Sequence, residues 1–352
     1  MKILVSALEH SANVHLKSLG KELSPDVTFI GIFDSDLGDP IVDLRALAIM
    51  GFVDAVKKLR YFIKLNKKMV DLAGEADKVL LIDSSGFNLP LAKKIKKRYP
   101  NKEIIYYILP QAWAWKKKRI PVLEKNIDRL LSILPFEKNY YSKHASITYV
   151  GHPLLDSIQN FKESLKPKVK EVVFMPGSRK GEIKKLMPIF KELITKLDNI
   201  EASVVVPRHF TQEDINELYG NLLGFKTVHD AHETLYSADF AFICSGTATL
   251  EAALIGTPFV LSYIAKPLDY FIVSKLVKLS HIGLSNIMFT QFNDRDLHPE
   301  FIQEEVTADN LLKAYEAFDR ENFLEDSKHL RVYLKHGSSK TVAAIIEDKY
   351  AN

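Results

Sequence analysis

Two stretches in the second half of the chain decide the fold: VVFMPGSRKGEI at 172–183 and FAFICSGTATLEAALIGTPFVLSY at 240–263. Each reads as a short apolar strand, then a loop of small residues, then a helix. At such a junction, backbone N–H groups and the positive end of a helix converge on one point, and phosphate groups bind there. Two junctions of this kind in one domain predict a nucleotide ligand that carries a diphosphate.

Strand-like apolar runs alternate with helix-like stretches through the first half, and the pattern restarts after the lysine-rich stretch FKESLKPKVKE. This alternation predicts an α/β protein with two doubly wound, Rossmann-like domains. We expect a first domain at 1–163, a second at 164–325, and a helical segment at 326–352 that packs back on the first. Ligands of such sheets bind at the carboxyl ends of the strands, so we expect the two domains to face a common cleft.

The composition is that of an ordinary globular protein. Hydrophobic residues make up 47% and charged residues 26%, and the net charge of +4 is small for 352 residues. The single cysteine, Cys244, rules out an internal disulfide framework and suits a reducing compartment. The N-terminus lacks the apolar core of a signal peptide, and no apolar stretch is long enough to span a bilayer. We expect a cytoplasmic protein, soluble or peripherally bound.

The first junction supplies three candidate donor-binding residues, Gly177, Ser178 and Arg179. Gly177 turns the chain and Ser178 can cap the helix. A cation at Arg179 opposes the helix dipole unless an anion binds between them, so Arg179 is predicted to neutralise a leaving diphosphate. The alternative is an ordinary turn with an exposed arginine.

The second junction contributes Ser245, Gly246 and Thr247 before the next helix. Gly246 permits a close approach of the backbone to a ligand. Glu251, one turn into that helix, is a candidate acceptor for ribose hydroxyls. The alternative for Glu251 is compensation of the helix dipole.

The first half supplies candidate catalytic groups at its strand ends. Asp83 follows the strand KVLLI and is a candidate general base, or a helix cap. The loop after the first strand brings Glu9 and Ser11 to the same edge. Asp34 and Asp36 resemble the metal-binding pair of metal-dependent sugar transferases. They lie in the first domain, away from the predicted nucleotide-binding loops of the second, so no metal site is predicted.

Trp113 and Trp115 precede the basic run KKKR. Aromatic side chains beside a basic run can stack on nucleic acid or lie at a membrane interface, or they can form an aromatic pair at a domain edge. No other nucleic-acid signature accompanies them, so no nucleic-acid partner is predicted.

The stretch 44–73 has two apolar stripes at helical spacing. One stripe includes Ile63, and the opposite one includes Phe62, Leu65 and Met69, with Lys68 among the flanking lysines. If the first stripe faces the core, the second forms an interfacial helix on an anionic membrane. Alternatively, the helix breaks and repacks, burying both stripes.

Ten segments, in order along nearly the whole chain, together resemble the lipid-A-disaccharide synthase family, glycosyltransferases of the GT-B architecture. The segments are ALEHSANVH, ALAIMGFVDAV, IDSSGFNLPLAKKIKK, YYILPQAWAWKKKRI, LLSILPFEKNYY, YVGHPLLD, FMPGSRKGEI, SGTATLEAALIGTPFVLSY, IGLSNIMF and PEFIQEEVT. The resemblance implies transfer of a 2,3-diacylglucosamine unit from UDP to the 6-hydroxyl of 2,3-diacylglucosamine 1-phosphate. The anomeric centre inverts, UDP is released, and no cofactor takes part.

By position, the resemblance places Asn286 beside Arg179 and Glu251 on the donor side, and makes Asp83 the base. On the acceptor side it places Glu9, Ser11, Asn88 and Trp115. It also implies association with the inner membrane, and oligomers are compatible with it. The chain departs from the family pattern at five positions in two loops of the first half, which leaves Asp83 as the main carboxylate of its loop. Those positions are Leu8, Ala12, Asn13, Ser85 and Gly86.

Two other functions share parts of this pattern. A UDP-GlcNAc 2-epimerase, or another transferase that uses UDP-GlcNAc, would have similar loops in the second half and no need of the lipophilic basic segment. A non-catalytic UDP-sugar-binding membrane scaffold would bind UDP without transferring a sugar, and would tolerate the loss of Asp83.

Overall fold

The computed structural model describes residues 1–42, 55–265 and 281–349, of which 55–59 and Trp115 are described by their backbone alone. The chain forms two compact units, Met1–Asp156 with Leu334–Asn352, and Ser157–Tyr333. Each unit contains a six-stranded parallel sheet. The α/β fold with two doubly wound units is therefore confirmed.

The first unit orders its strands β2-β1-β3-β4-β5-β6. They are β1 Lys2–Ser6, β2 Thr28–Ile32, β3 Lys78–Ile82, β4 Glu103–Tyr107, β5 Arg129–Ser132 and β6 Ile147–Tyr149. The helices of its continuous part are α1 His10–Gly20, α2 Ala55–Leu72, α3 Ser85–Arg98, α4 Ala112–Trp115, α5 Ile120–Asn126 and α6 Pro153–Ser157. Leu4 and Leu81 face one apolar core, and Val5 and Leu80 face another. Both faces of the sheet are thus covered, as a parallel sheet requires.

The second unit orders its strands β12-β11-β10-β7-β8-β9. They are β7 Glu171–Met175, β8 Glu201–Val205, β9 Phe225–Val228, β10 Phe240–Cys244, β11 Phe259–Tyr263 and β12 Glu300–Ile302. The helices are α7 Lys180–Ile194, α8 Gln212–Tyr219, α9 Ala231–Ser237, α10 Thr247–Ile255, α11 Leu284–Phe289, α12 Ala308–Glu316 and α13 Arg320–Leu334. The central strand β10 is buried throughout its length.

Each sheet has a point at which its strand order reverses. In the first unit the chain winds outward from β1 to β2 and then continues on the other side at β3. In the second unit it winds from β7 to β8 and β9, and then returns to the other side of β7 at β10. Doubly wound sheets bind ligands at this switch point, beyond the carboxyl ends of the two strands. The fold therefore directs attention to the loops after β1 and β3, and after β7 and β10.

Helix α2 is rotated relative to the sequence prediction. Leu65 and Met69, predicted to be exposed, are buried at 5% and 0% exposure. Phe62 is partly buried and packs edge-to-face on Phe87. Ile63 is instead 55% exposed, and Lys68 is exposed as predicted. The predicted exposed stripe is wrong because Leu65 and Met69 pack into the core that covers Leu4 and Ile32. The N-terminal part of the predicted stripe, 44–54, lies outside the described residues.

The last helix, α14 Ser338–Ile346, belongs to the first unit, and Val342 and Ile346 lie in the core beneath β1 and α1. Helix α13 belongs to the second unit almost to its end. The second unit thus begins at 157 and ends at 333, where the sequence predicted 164 and 325. One reason is that Lys162 already donates its backbone N–H to Ile255 O, at 2.8 Å, within the second unit.

Candidate functional site

The first junction of the second unit turns at Gly177, between β7 and α7. Gly177 has φ +103°, and an added Cβ would lie 2.6 Å from Glu182 Oε2, so both backbone and space favour glycine. Arg179 is the N-cap residue of α7, and its side chain makes no capping hydrogen bond. Ser178 therefore precedes the cap position instead of filling it, contrary to prediction, and the cap residue offers the first N–H groups of α7 no side-chain partner.

Arg179 presents its guanidinium at the mouth of this junction. Its side chain is 80% exposed, and one nitrogen donates to Glu182 Oε1 at 2.9 Å. That hydrogen bond raises the pKa of Arg179, so the side chain is a permanent cation. Glu182 was not singled out from the sequence, although its position three residues after Arg179 on a helix predicts this ion pair.

The second junction is built in the same way, with Gly246 at the N-cap of α10. Gly246 has φ +150°, and an added Cβ there would meet no atom within 4 Å. A glycine cannot cap through a side chain, so the N–H groups at the start of α10 are also available to a ligand.

Both junctions line one cavity of about 530 Å³, a volume in the usual range for a small-molecule ligand. Six of the predicted donor-side residues surround it, namely Gly177, Ser178, Arg179, Ser245, Gly246 and Thr247. The structure thus brings together at one point what the sequence placed about 70 residues apart. Cys244 also lines the cavity, and burial raises the pKa of its thiol to about 12, so it stays protonated.

Glu251 lies one turn beyond the cavity lining, on α10. Its Oε1 is 3.0 Å from Nδ1 of His232, at the start of α9, and its side chain is 21% exposed. No hydrogen bond to Oε2 is present within the described part of the chain. His232 carried no signal in the sequence, because the contact depends on how α9 and α10 pack.

Asn286 does not line the cavity, and its amide is fully occupied by the protein. Its Nδ2 donates to His298 O and to Glu300 Oε1, both at 2.9 Å. Its Oδ1 accepts from the backbone N–H groups of Leu297 and His298, at 2.8 and 3.2 Å. The prediction of Asn286 as a donor-binding side chain is therefore wrong for this structure, because the amide fastens α11 to the segment that leads into β12.

In the first unit, Asp83 and Ser84 follow β3 with φ angles of +49° and +46°. Left-handed backbone at two successive non-glycine residues is strained, and such strain concentrates at functional sites. The surroundings hold this turn in place, since the Tyr106 hydroxyl and Asn88 Nδ2 donate to Asp83 O, at 2.5 and 2.8 Å. Asp83 does not act as the cap of α3, because Ser84 occupies the N-cap position.

The Asp83 carboxyl lies at the switch point of the first sheet, beside Glu9. Burial raises the pKa of Asp83, the hydrogen bond from the Ser84 N–H opposes this, and the charge of Glu9 adds to it. Ser84 also links the two loops, because its hydroxyl donates to Glu9 Oε1 at 3.1 Å. A carboxylate whose pKa is raised in this way is a stronger base than an exposed one.

The other predicted acceptor-side residues have different surroundings. Ser11 is exposed at the start of α1. Asn88 is fully buried and bonds to Ser6 Oγ, at 2.6 Å, and to the backbone of the Asp83 turn. It therefore supports the turn and cannot contact an acceptor directly, contrary to prediction. The side chain of Trp115 lies outside the described residues.

Comparison with known proteins adds an independent finding. The family model for lipid-A-disaccharide synthetase matches residues 3–348. The chain belongs to this family. A lipid-A-disaccharide synthase of Helicobacter pylori (strain G27) is 51% identical, over 97% of this chain and 96% of the relative. One from Campylobacter jejuni (strain RM1221) is 44% identical, over 98% and 99%.

Solved structures of other proteins share the fold of this family member. MurG of Acinetobacter baumannii superposes with a TM-score of 0.61 at 12% identity, covering 99% of both chains. A putative UDP-N-acetylglucosamine 2-epimerase from Listeria monocytogenes also gives 0.61, at 13% identity, covering 99% of this chain and 96% of that one. At this identity the likeness concerns the fold alone, and it identifies the two units as a GT-B architecture.

Two of the residues expected to depart from the family pattern, Asn13 and Ser85, have structural roles. Asn13 Nδ2 donates to Ala7 O and Glu9 O, at 2.9 and 2.8 Å, and its Oδ1 accepts from Asp34 N, at 2.7 Å. It thus fixes the loop that carries Glu9. Ser85 accepts a hydrogen bond from Arg119, at 2.7 Å.

Two features are absent from the part of the chain that the structure describes. No helix among them is both long and apolar enough to cross a bilayer. Within 1–42, 55–265 and 281–349, no group of three or more His, Cys, Asp or Glu side chains is arranged to hold a metal ion.

Proposed function

We propose that this chain forms the lipid A disaccharide by transferring an acylated glucosamine from UDP to an acylated glucosamine 1-phosphate. The observation that carries the proposal is the cavity of the second unit, where two uncapped helix N-termini and Arg179 meet at the switch point of the sheet. Membership of the synthetase family supports the choice of reaction.

The donor's diphosphate occupies this cavity in the proposal. The N–H groups at the starts of α7 and α10 bind its oxygens, and Arg179 turns from Glu182 towards the added negative charge. Glu251 accepts hydrogen bonds from the ribose hydroxyls through Oε2. The N–H groups at the helix starts are fixed before the reaction, and together with Arg179 they stabilise the charge that develops on departing UDP.

The acceptor binds to the first unit, beside Asp83. Asp83 removes the proton of the acceptor's 6-hydroxyl while that oxygen bonds to C1 of the donor sugar and the bond from C1 to the diphosphate oxygen breaks. Attack from the face opposite UDP inverts the anomeric centre. The raised pKa of Asp83 supports this role, because the carboxyl is a better proton acceptor than an ordinary aspartate.

Both substrates carry acyl chains, so the enzyme is proposed to work at the cytoplasmic surface of the inner membrane. The outward face of α2 supports this: Arg60, Lys64, Lys67, Lys68 and Ile63 are exposed together, away from the core. A basic face with an apolar side chain among its lysines is typical of contact with anionic headgroups.

The test is UDP release from UDP-2,3-diacylglucosamine, with and without the 1-phosphate acceptor and in the presence of EDTA. The wild-type protein should release UDP only when the acceptor is present. Asp83→Asn should reduce turnover about 100-fold or more, with UDP affinity retained. Asp36→Asn, at an exposed position of the same unit, is the matched control and should leave turnover unchanged.

Near-normal turnover of Asp83→Asn, with its folding verified by circular dichroism, would remove the base assignment. UDP binding without release, whatever the acceptor, would favour the non-catalytic scaffold. Epimerisation at C2 of water-soluble UDP-GlcNAc, followed separately by NMR, would favour the 2-epimerase.

A further inference from the structure

His232 and Glu251 form a contact between two helices of the second unit. His232 is the second residue of α9, and its Nδ1 lies 3.0 Å from Oε1 of Glu251, on α10. A second hydrogen bond joins the same two helices about one turn further along α9, because Thr257 Oγ1, just after α10, donates to Leu235 O at 2.6 Å. The placement of His232 beside Glu251 is thus supported by a second contact between α9 and α10.

The surroundings of the imidazole determine its tautomer. Nε2 is buried and has no hydrogen-bond partner among the residues that the structure describes. A proton on Nε2 would be a buried donor without an acceptor, which costs more than an unpaired acceptor lone pair. We therefore assign the proton to Nδ1, which makes His232 the donor and Glu251 Oε1 the acceptor.

This donation fixes the orientation of the Glu251 carboxylate. One oxygen is occupied by His232, and the other remains on the partly exposed side of the group. A glutamate side chain has several rotatable bonds, and holding it in one rotamer before the ligand arrives removes that entropy cost from binding. We infer that His232 is a positioning residue for the donor, which aims Glu251 Oε2 at the ribose hydroxyls. The inference rests on the proposed role of Glu251.

The test compares two substitutions of similar size and branching. In His232→Asn the amide nitrogen takes the place of Nδ1 and can donate to Glu251, whereas in His232→Leu nothing can donate. Binding of UDP and of 2′,3′-dideoxy-UDP, which lacks both ribose hydroxyls, is measured by calorimetry on the full chain. His232→Leu should weaken UDP binding about 10-fold, and His232→Asn should restore affinity to within about 3-fold of wild type. Neither should change the affinity for the dideoxy ligand.

In turnover, His232→Leu should raise KM for the donor and leave kcat unchanged.

Equal weakening of both ligands by His232→Leu would mean that the substitution merely displaces α9, and would overturn the inference. So would an Asn variant as weak as the Leu variant. Glu251→Ala, which removes every acceptor at this position, separates this failure from that of the ribose assignment. If Glu251→Ala abolishes the preference for UDP over the dideoxy ligand but His232→Leu does not, only the role of His232 is wrong. If Glu251→Ala leaves the preference unchanged, the ribose assignment fails and His232 has nothing to position. The UDP-release assay tests the transfer reaction independently of both.

Discussion

Gly177 shows how a single residue joins local geometry to the site. Its positive φ is one that side chains rarely adopt, and the space beside it is filled by Glu182 Oε2 and by Cys244 Sγ, which would lie 2.6 and 3.3 Å from an added Cβ. Glu182 is also the partner of Arg179. A methyl group at 177 would therefore disturb the backbone that faces the ligand and, through Glu182, the guanidinium that is proposed to bind the diphosphate.

We expect Gly177→Ala to weaken UDP binding about 10-fold or more and to lower the free energy of unfolding by about 1–3 kcal/mol. Calorimetry and urea denaturation measure the two effects. Gly20→Ala is the control: it lies at the end of α1 in the first unit, where an added Cβ meets only Phe29, at an ordinary contact distance of 3.8 Å, and alanine is a better helix former than glycine. If both variants bind UDP like the wild type, the loop does not need its glycine and the proposed contact of its backbone with the diphosphate is wrong.

For single residues, the sequence predicted the positions of polar side chains in the fold. It was a poorer guide to the partners that those side chains bind. Strand ends and small-residue loops are visible in the sequence, so Asp83, Arg179 and the glycine loops could be placed. Whether a polar side chain is left for a ligand depends on partners distant in sequence. Asn286 and Asn88 both lie near strand ends or loops, and the amide groups of both are hydrogen-bonded to other parts of the protein. The neighbouring residues in the sequence do not predict these hydrogen bonds.

At the scale of the element, α2 has more apolar residues than one buried face needs. Periodicity alone gives two stripes, and either can face the core. The choice depends on the layer beneath: Leu65 and Met69 pack against residues of β1 and β2, which leaves Ile63 outside. The helix itself is predictable, but its rotation about its own axis is a property of the assembled sheet. The residues proposed for membrane contact therefore change, while the basic character of the face does not.

The combined variant Ile63→Ser, Lys64→Gln, Lys67→Gln is expected to lose most of its binding to anionic vesicles in a sedimentation assay. Three favourable contacts with the interface are removed, each contributing about 1 kcal/mol. The free energy of unfolding should change by about 0.5 kcal/mol or less per substitution, because all three side chains are exposed.

Met69→Ala is the matched control on the buried face of α2. It should cost about 2–5 kcal/mol of stability, because Met69 is fully buried. At a temperature where it remains folded, it should still sediment with anionic vesicles. Undiminished vesicle binding by the outward-face variant would show that α2 does not contact the membrane through this surface.

For the whole molecule, strand order is what makes the separate motifs one site. The alternating pattern in the sequence predicts parallel sheets, and the structure supplies the order of strands within each. In the second unit that order puts β7 directly beside β10, so two loops separated by β8 and β9 in the chain line the same cavity. In the first unit it puts β1 beside β3, which brings Glu9 to Asp83. Pairing between distant strands depends on long-range packing, and local sequence does not determine it.

The return of the chain to its first unit has a consequence for stability. After the whole of the second unit, α14 packs on α1 and buries Ile346 completely in the core shared with β1. Lys78, at the start of β3, donates its ammonium group to Ile346 O at 2.8 Å and pairs with Asp348. The core of the first unit is therefore completed by α14, which follows the second unit in the sequence.

Ile346→Ala should lower the free energy of unfolding of the first unit by about 2–5 kcal/mol, because it removes a fully buried side chain and leaves a cavity in the core. Hydrogen exchange followed by mass spectrometry should show faster exchange in peptides from β1, α1 and β3, and unchanged exchange in β7 and β10. Lys340→Ala, exposed on the same helix, is the control and should leave all of these peptides as in the wild type. Exchange that rises equally in both units would mean that the C-terminal helix stabilises the chain as a single cooperative body, so that Ile346 does not serve the first core alone.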